Sequence, residues 1–255
     1  MNKIIAFSKR NFLEIIRDPL SYIFCLGFPL VMLVVMTLVN DTIPEEAHME
    51  LFQIQNLSGG IAVFGMTFIM LFVCLSVAKD RSGAFLVRLY ATPMKSGDFI
   101  SGYIVPTVVL AVIQSVITFA ASLVVALIVG VELNILGILI AIVSLIPSMI
   151  MFISFGLLFG TLFSEKAAPG LCSIIISLGS FLGGIWFDVK GAGGVLEEIC
   201  NALPFYHSVN LARMATVMEL NDEFVINLLI TVGYAIVVAI VSVIVFKYKM
   251  RADLK

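Results

Sequence analysis

Charged residues are scarce in this chain of 255 residues. They make up 13% of the sequence, about half the share found in soluble globular proteins, whereas hydrophobic residues make up 61%. The mean hydropathy is correspondingly high, at +1.13. This balance excludes an ordinary soluble domain and predicts a polytopic membrane protein.

The chain also lacks the side-chain clusters that catalysis and metal binding require. Its four cysteines and two histidines show no Cys-x-x-Cys or Cys/His spacing. No group of His, Asp and Glu gathers at either predicted membrane face, so an integral-membrane enzyme is disfavoured. We therefore expect no catalytic residue, no metal and no cofactor bound by this chain.

Two further absences concern the source of energy. The apolar runs contain no Asp, Glu, Lys, Arg or His, although ion-coupled transporters usually need an ionisable group inside the membrane. The sequence also has no G-x-x-x-x-G-K-[ST] motif, so it carries no P-loop for ATP. Together these absences favour a transport subunit driven by a partner. A stand-alone carrier and a non-transporting membrane scaffold remain the alternatives.

Six apolar runs are each long enough to cross a bilayer core of about 30 Å as a helix. The sequence therefore predicts an all-α protein with six transmembrane helices, and Pro106 and Pro147 are the expected kink points. The predicted spans lie near residues 20–39, 58–78, 103–129, 136–163, 169–187 and 225–246.

Residues 1–19 precede the first span and mix apolar with basic side chains. Ile5, Phe12 and Ile16 share one helical face, and Lys and Arg residues stand between them. This pattern predicts an amphipathic helix that lies in the membrane interface. Asp18-Pro19 is expected to end it and to turn the chain into the bilayer.

The basic residues are segregated by side. Of the 15 Lys and Arg residues, all but Lys190 and Arg213 fall in the N-terminal arm, the 79–102 loop, the 164–168 loop or the tail. The positive-inside rule makes that side cytoplasmic, with both termini inside. The other side carries residues 188–224, which are too apolar for a solvated loop and too short to span. We predict an external helical hairpin there, before the last span.

Small and hydroxylated residues recur at helical spacing in the third and fifth spans. Such stripes let helices approach closely within lipid. Three interpretations stay open: packing within the subunit, a dimer interface, or a lining of the substrate path. The residues are Ser115, Thr118 and Ser122 in the third span and Ser173, Ser177, Ser180 and Gly184 in the fifth.

Residues 79–102 form the one long charged interruption in the first two-thirds of the chain. The stretch Arg88-Leu89-Tyr90-Ala91-Thr92-Pro93 follows Asp80-Arg81-Ser82-Gly83 and precedes Gly102. This arrangement resembles the cytoplasmic coupling loop of the ABC type-2 permease family. Where that family usually has a glutamate-rich cluster and Gly-Thr, this chain has Lys79-Asp80-Arg81 and Gly83-Ala84. The alternative for this segment is a membrane-surface anchor.

The resemblance implies a permease subunit of an ATP-driven exporter, with a short helix over residues 82–93 that docks into a separate ATPase subunit. ATP and magnesium would then sit on that partner, and a second permease subunit, identical or paralogous, would complete the path in a prokaryotic-type plasma membrane. Substrates of such exporters include drugs (hence multidrug resistance), peptides, lipids and glycans, and no nucleic-acid partner is implied. The residues expected to couple to the ATPase are Asp80, Arg81, Gly83, Arg88, Leu89, Thr92 and Pro93. The same resemblance makes Pro204, Phe205, Tyr206 and Arg213 candidates for an external gate.

Overall fold

The computed structural model describes residues 3–44, 49–83 and 96–252. These residues are helical and contain no strand, which confirms the all-α membrane architecture. Five helices are long and apolar enough to cross a membrane, and a shorter apolar helix accompanies them. The first of the five includes a π-helical turn, Ile23–Gly27.

The helices are numbered here in chain order. They are α1 Lys3–Arg17, α2 Pro19–Tyr22, α3 Phe28–Thr42, α4 Ile54–Ser82, α5 Ser96–Val129, α6 Ile135–Ser144, α7 Ile146–Leu162, α8 Ala168–Leu182, α9 Val189–Ala192, α10 Gly194–Ala202, α11 Pro204–Thr216 and α12 Asp222–Ala252.

The two helices that border the charged loop extend towards it beyond the spans predicted from hydropathy. Helix α4 continues past residue 78 to Ser82, and α5 begins at Ser96 rather than near residue 103. Hydropathy missed these turns because they are polar, yet they are held against other helices. The connection between α4 and α5 is therefore shorter than the predicted 79–102 loop.

The fifth predicted span differs in length from its helix. Helix α8 ends at Leu182, whereas the prediction extended to residue 187. Its 15 residues rise only about 22 Å, less than the roughly 30 Å of a bilayer core. The chain turns at Gly183 and at Gly184, whose φ is +65°, a value that glycine adopts without steric cost.

Helix α4 is the centre of the bundle. In its most apolar window 83% of the residues are buried, compared with 22% in the last spanning helix, α12. Small residues on α4 allow this close packing, because Gly59 meets the backbone of Ala212 on α11 and Gly65 meets the side chain of Gln114 on α5. Its other large contacts are with α7 and α8.

The contact between α4 and α7 depends on two glycines one helical turn apart. A Cβ atom at Gly156 would lie 2.7 Å from the Cβ of Val73, and one at Gly160 would lie 2.8 Å from the Cβ of Val77. The two backbones can approach so closely only because these positions have no side chain.

The two faces of the bundle differ in what they carry. The terminal face is defined here by α1, the end of α4, the start of α5 and the end of α12. Lys249, near the end of α12, lines a cleft on this face together with Arg81. The opposite face carries α9, α10, α11 and the turn Glu50–Phe52 before α4. Both described ends of the chain therefore lie on the terminal face.

The predicted hairpin over 188–224 consists of three helices. The short α9 is followed by α10, and α11 begins at Pro204, a residue suited to the first turn of a helix. Helix α11 is largely buried and packs on α4, α6 and α12. This packing explains why the segment is too apolar for a solvated loop.

Candidate functional site

A network of charged and polar side chains joins α1 to the two helix ends that border the 83–95 connection. Arg10 makes a two-point contact with Asp80, through Nη1 to Oδ2 at 2.6 Å and Nη2 to Oδ1 at 2.9 Å. The hydroxyl of Tyr103 on α5 donates to Oδ2 of the same carboxylate at 2.7 Å. Asp80 is only 4% exposed, so one buried carboxylate connects three helices.

Further contacts extend this connection along α1. Glu14 receives hydrogen bonds from Arg10 and, at 2.8 Å, from Lys79. The amide of Asn11 donates to the backbone carbonyl of Gly102 at 2.9 Å. We call Arg10, Glu14, Lys79, Asp80 and Tyr103 the loop-base network, because they hold both ends of the 83–95 connection to α1.

Aromatic packing reinforces the loop-base network. Phe7 on α1 is 5% exposed and makes edge-to-face contacts with Phe99 and Tyr103, with ring centroids 5.7 and 5.2 Å apart. Its ring also lies under the guanidinium of Arg10, 6.0 Å from the carbon of that group. Both charged and apolar contacts therefore hold α1 against α5.

The electrostatics favour a charged Arg10. Burial alone would lower the pKa of its guanidinium, but the hydrogen bond and the charge of Asp80 outweigh burial, so the pKa is raised. Arg10 is therefore a cation at every physiological pH. A bidentate guanidinium–carboxylate contact also fixes the relative orientation of the two helices.

Gly102 offers a direct test of this packing. A Cβ atom there would collide with the buried ring of Phe7. We expect Gly102→Ala to lower the free energy of unfolding by about 1–3 kcal/mol, because the ring has to move and α1 loosens from α5. The measurement is the melting temperature in detergent, together with the rate of tryptic cleavage within α1.

A matched control is Gly97→Ala, because a Cβ at Gly97 has open space around it. Adding Phe7→Leu to Gly102→Ala should recover part of the lost stability. If Gly102→Ala and Gly97→Ala behave alike, the packing of Phe7 on Gly102 does not hold α1.

Arg81 and Ser82 extend the site towards the end of α7. The guanidinium of Arg81 donates to the backbone carbonyls of Gly160 and Thr161, in the last turn of α7. A cation at a helix C-terminus satisfies carbonyls that lack partners within the helix. The hydroxyl of Ser82 donates to Glu165 at 2.6 Å, in the 163–167 connection.

The structure revises one expectation for the coupling residues. Asp80 was predicted as a polar contact for the ATPase, but its carboxylate is buried and both its oxygens bind Arg10 or Tyr103. Arg81 likewise has contacts within the chain, and Gly83 ends α4 in an extended conformation. The remaining coupling residues, Arg88, Leu89, Thr92 and Pro93, lie outside the described residues.

The partners of Asp80 on α1 and α5 were not predicted from the sequence. The apolar face singled out there, Ile5, Phe12 and Ile16, is not the buried one: Ile5 and Ile16 are 59% and 43% exposed. The buried face is Phe7, Asn11 and Ile15, which are four residues apart. That spacing was visible in the sequence, and an asparagine between two apolar residues could have indicated a packed polar contact.

The hydroxyl stripe of the third span is internal. Ser115, Thr118 and Ser122 are at most 1% exposed, and the hydroxyls of Ser115 and Ser122 donate to backbone carbonyls of their own helix. Thr118 accepts a hydrogen bond from Gln114, whose side chain packs on Gly65. Of the three interpretations, this arrangement favours packing within the subunit.

The stripe of the fifth span divides into two groups. Ser173 and Ser177 are exposed on α8, and their hydroxyls donate to backbone carbonyls one turn earlier. Ser180 is 3% exposed and Gly184 packs against Val189, so both lie inside the chain. The exposed pair alone remains available to a second subunit or to the substrate path.

The four hairpin candidates are close together on α11. Pro204 begins the helix, and Phe205 packs against Phe152 and Phe155 of α7. Tyr206 is 7% exposed and belongs to a small apolar cluster with Val189 and Cys200. Arg213 lies two turns further on and faces α4.

No metal centre is present among the described residues: they contain no group of three or more His, Cys, Asp or Glu side chains that could hold an ion. Asp80 is engaged by Arg10 and Tyr103, which leaves it no vacant oxygen for a cation.

Comparison with known proteins agrees with this architecture. A family model described as ABC-2 type transporter matches residues 2–217, from α1 through the end of α11. A search among curated proteins found no match. The family match covers most of the chain, including α1, the loop-base network and the three helices of the opposite face. The chain therefore belongs to the ABC-2 type transporter family.

Proposed function

We propose that this chain is the membrane permease subunit of an ATP-driven exporter, and that a separate ATPase subunit binds the connection between α4 and α5. Membership of the ABC-2 family supports a transport role. The absence of a P-loop motif from the sequence supports a separate ATPase. In this proposal ATP and magnesium bind the partner, and this chain moves the substrate.

The loop-base network is the observation that carries the proposal. Asp80 stands two residues before Ser82, the last residue of α4, and Tyr103 stands in the second turn of α5. The hydroxyl of Tyr103 donates a hydrogen bond to the carboxylate of Asp80, which also accepts hydrogen bonds from Arg10 on α1. A force applied to the connection would therefore move the ends of α4 and α5 and the helix α1 as one unit.

Motion of α4 would reach the rest of the bundle. Arg81, one residue after Asp80, is bonded to the last turn of α7, and Gly156 and Gly160 on α7 pack directly on α4. Closely packed helices transmit displacement because they have little free space to absorb it. The proposed mechanism is the conversion of ATPase closure into a change in the helix arrangement around the substrate path.

The distribution of basic residues supports the direction of insertion. All but two of the 15 Lys and Arg residues fall in segments assigned to one side. The positive-inside rule then makes the terminal face cytoplasmic, where an ATPase and its ATP would be found. Export of a drug, peptide, lipid or glycan across a prokaryotic-type plasma membrane is the corresponding transport reaction.

A second permease subunit is proposed to contact α8. The exposed surface of α8 carries two small residues, Ser173 and Ser177. It also carries three larger apolar residues: Ile174, Leu178 and Phe181. Small residues one turn apart allow two helix backbones to approach within lipid. An identical or a paralogous copy would satisfy this surface equally.

Co-purification from the native membrane tests the proposal. We expect an ATPase subunit to accompany the wild-type chain, and Arg88→Glu to reduce its recovery by roughly tenfold, because a reversed charge in a docking contact is repulsive. Lys190→Glu on the opposite face is the matched control and should leave recovery unchanged. Recovery of no ATPase with the wild type under gentle detergent conditions would instead favour a stand-alone carrier or a scaffold.

A further inference from the structure

A polar cleft opens on the opposite face, away from the loop-base network. It has a volume of about 540 Å³, which is within the usual range for small-molecule sites. The turn Glu50–Phe52, the first turn of α4 and helix α11 form its walls. Among the described residues, four charged side chains line it: Glu50, Asp188, Arg213 and Glu219.

Among the residues that the structure describes, Arg213 has no acidic partner. Its Nε donates to the backbone carbonyl of Asn56 at 3.3 Å, and its buried Nη2 has no hydrogen-bond partner in the same part of the chain. Burial lowers the pKa of its guanidinium to about 10, so it remains a cation at neutral pH. A guanidinium offers a planar fork of donors that suits phosphate or carboxylate, and Arg213 lines the cleft, so the part of its guanidinium that reaches the cleft can bind an anionic ligand.

The carboxylates of the cleft do not neutralise Arg213. Glu50, Asp188 and Glu219 are all exposed, and none of them forms an ion pair with Arg213 in the part of the chain that the structure describes. Asp188 acts on the guanidinium only through space, while its Oδ1 accepts from the backbone N–H of Lys190 at 3.1 Å. The cleft thus presents one largely buried positive group and three exposed negative groups.

This charge arrangement discriminates between ligand classes. A simple anion bound at Arg213 would also meet three carboxylates, and a simple cation would leave the guanidinium unpaired. A ligand with an anionic group and an ammonium group close together satisfies both. We infer that the cleft binds a zwitterionic amine–phosphate group, with the phosphate on Arg213 and the ammonium among Glu50, Asp188 and Glu219.

The position of the cleft matches the depth of a lipid headgroup. It adjoins the first turn of α4, where the spanning helix begins, and its walls include apolar Leu51, Met214 and Val217 beside the charges. Phosphatidylethanolamine in the adjacent leaflet and free phosphoethanolamine in solution carry the same headgroup chemistry. The site is distinct from the proposed ATPase contact and requires no ATPase to bind.

Binding is measured with the full chain purified in detergent. Native mass spectrometry reports the lipid retained, and the melting temperature is followed as phosphatidylethanolamine, phosphatidylglycerol or free phosphoethanolamine is added. We expect one phosphatidylethanolamine per chain and a saturable rise in melting temperature, with phosphatidylglycerol at least about tenfold weaker because it lacks the ammonium group. Competition by free phosphoethanolamine would show that the headgroup alone is enough for binding. If free phosphoethanolamine does not compete, the ligand of the cleft is the membrane lipid.

Two variants separate the roles of the charges. Arg213→Met should weaken phosphatidylethanolamine binding by about tenfold or more, while the lipid-free protein melts at or above the wild-type temperature, because an unpaired buried cation has been removed. Glu219→Gln should leave the fold intact, since Glu219 is exposed, and should reduce the preference for phosphatidylethanolamine over phosphatidylglycerol. Glu132→Gln, an exposed carboxylate outside the cleft, should preserve both affinity and preference.

The inference is overturned if the wild type retains neither amine–phosphate compound, or if it binds phosphatidylglycerol as tightly as phosphatidylethanolamine and Glu219→Gln changes nothing. Unchanged binding by Arg213→Met would overturn it as well. Because the chain is tested without an ATPase, each of these results leaves the proposed permease function untouched. Loss of ATPase co-purification, conversely, would not affect the lipid measurement.

Discussion

Gly156→Val is expected to prevent the protein from accumulating in a folded form. A Cβ at this position would collide with the backbone carbonyl of Met70 and would lie 2.7 Å from the Cβ of Val73. A backbone atom of the central helix α4 cannot rotate away as a side chain can, so α7 has to separate from α4. We expect a loss of about 3 kcal/mol or more in the free energy of unfolding, measured as yield and melting temperature after size-exclusion chromatography in detergent.

The matched control for this change is Gly233→Val in α12. Gly233 is also a glycine within a spanning helix, but a Cβ there has no atom within 4 Å and the position is exposed. Valine at this site should be tolerated, because it faces the surrounding lipid. Equal yields for the two valine variants would mean that the close contact of α4 with α7 is not required for folding.

Asp80→Ala is expected to destabilise the terminal face strongly. It leaves the guanidinium of Arg10 without its buried partner and the hydroxyl of Tyr103, which is 2% exposed, without an acceptor. The loss should be about 1–3 kcal/mol, because the hydroxyl of Tyr103 stays buried, whereas the side chain of Arg10 is 34% exposed and keeps its contact with Glu14. The melting temperature in detergent is the measurement, and Glu198→Ala, an exposed carboxylate of α10, is the control.

A double variant distinguishes stability from force transmission. Arg10→Met combined with Asp80→Leu removes both charges, so the melting temperature should recover part of the loss seen with Asp80→Ala, although the hydroxyl of Tyr103 still lacks an acceptor. In the proposed complex, stimulation of the partner ATPase by substrate should nevertheless remain below that of the wild type, because α1 and α4 are no longer joined by a bidentate contact. A double variant with wild-type coupling would assign the loop-base network a purely structural role.

Much of the fold could be predicted from local properties of the sequence. The all-α membrane class and the helical segment before the last span follow from hydropathy alone, because a run of apolar residues in lipid must be helical to satisfy its backbone. The limits of this reasoning appear at Ser96 and Leu182. Polar residues extended α5 beyond its apolar run, and a glycine turn shortened α8, and neither effect is visible in an average over a window.

The candidate site was predictable in position but not in composition. The charged interruption predicted Asp80 as a contact for an ATPase, whereas the structure shows it bound to Arg10, which lies 70 positions earlier in the chain. Helical periodicity alone could not choose between the face of Ile5 and Ile16 and the face of Phe7 and Asn11, since both carry apolar side chains. That choice depends on which surface of α1 fits against α5.

The sequence by itself determined that this protein is a multi-pass membrane protein and predicted that its basic residues gather at one side, because hydropathy and charge are properties of each segment alone. Only the tertiary structure decided that Asp80 joins three helices, that Gly156 and Gly160 meet the backbone of α4, and that the buried Nη2 of Arg213 has no partner among the described residues. The physical reason is that apolar side chains gain little by leaving lipid for one another. Close fit and a few hydrogen bonds therefore select the helix contacts, and these depend on residues far apart in the chain.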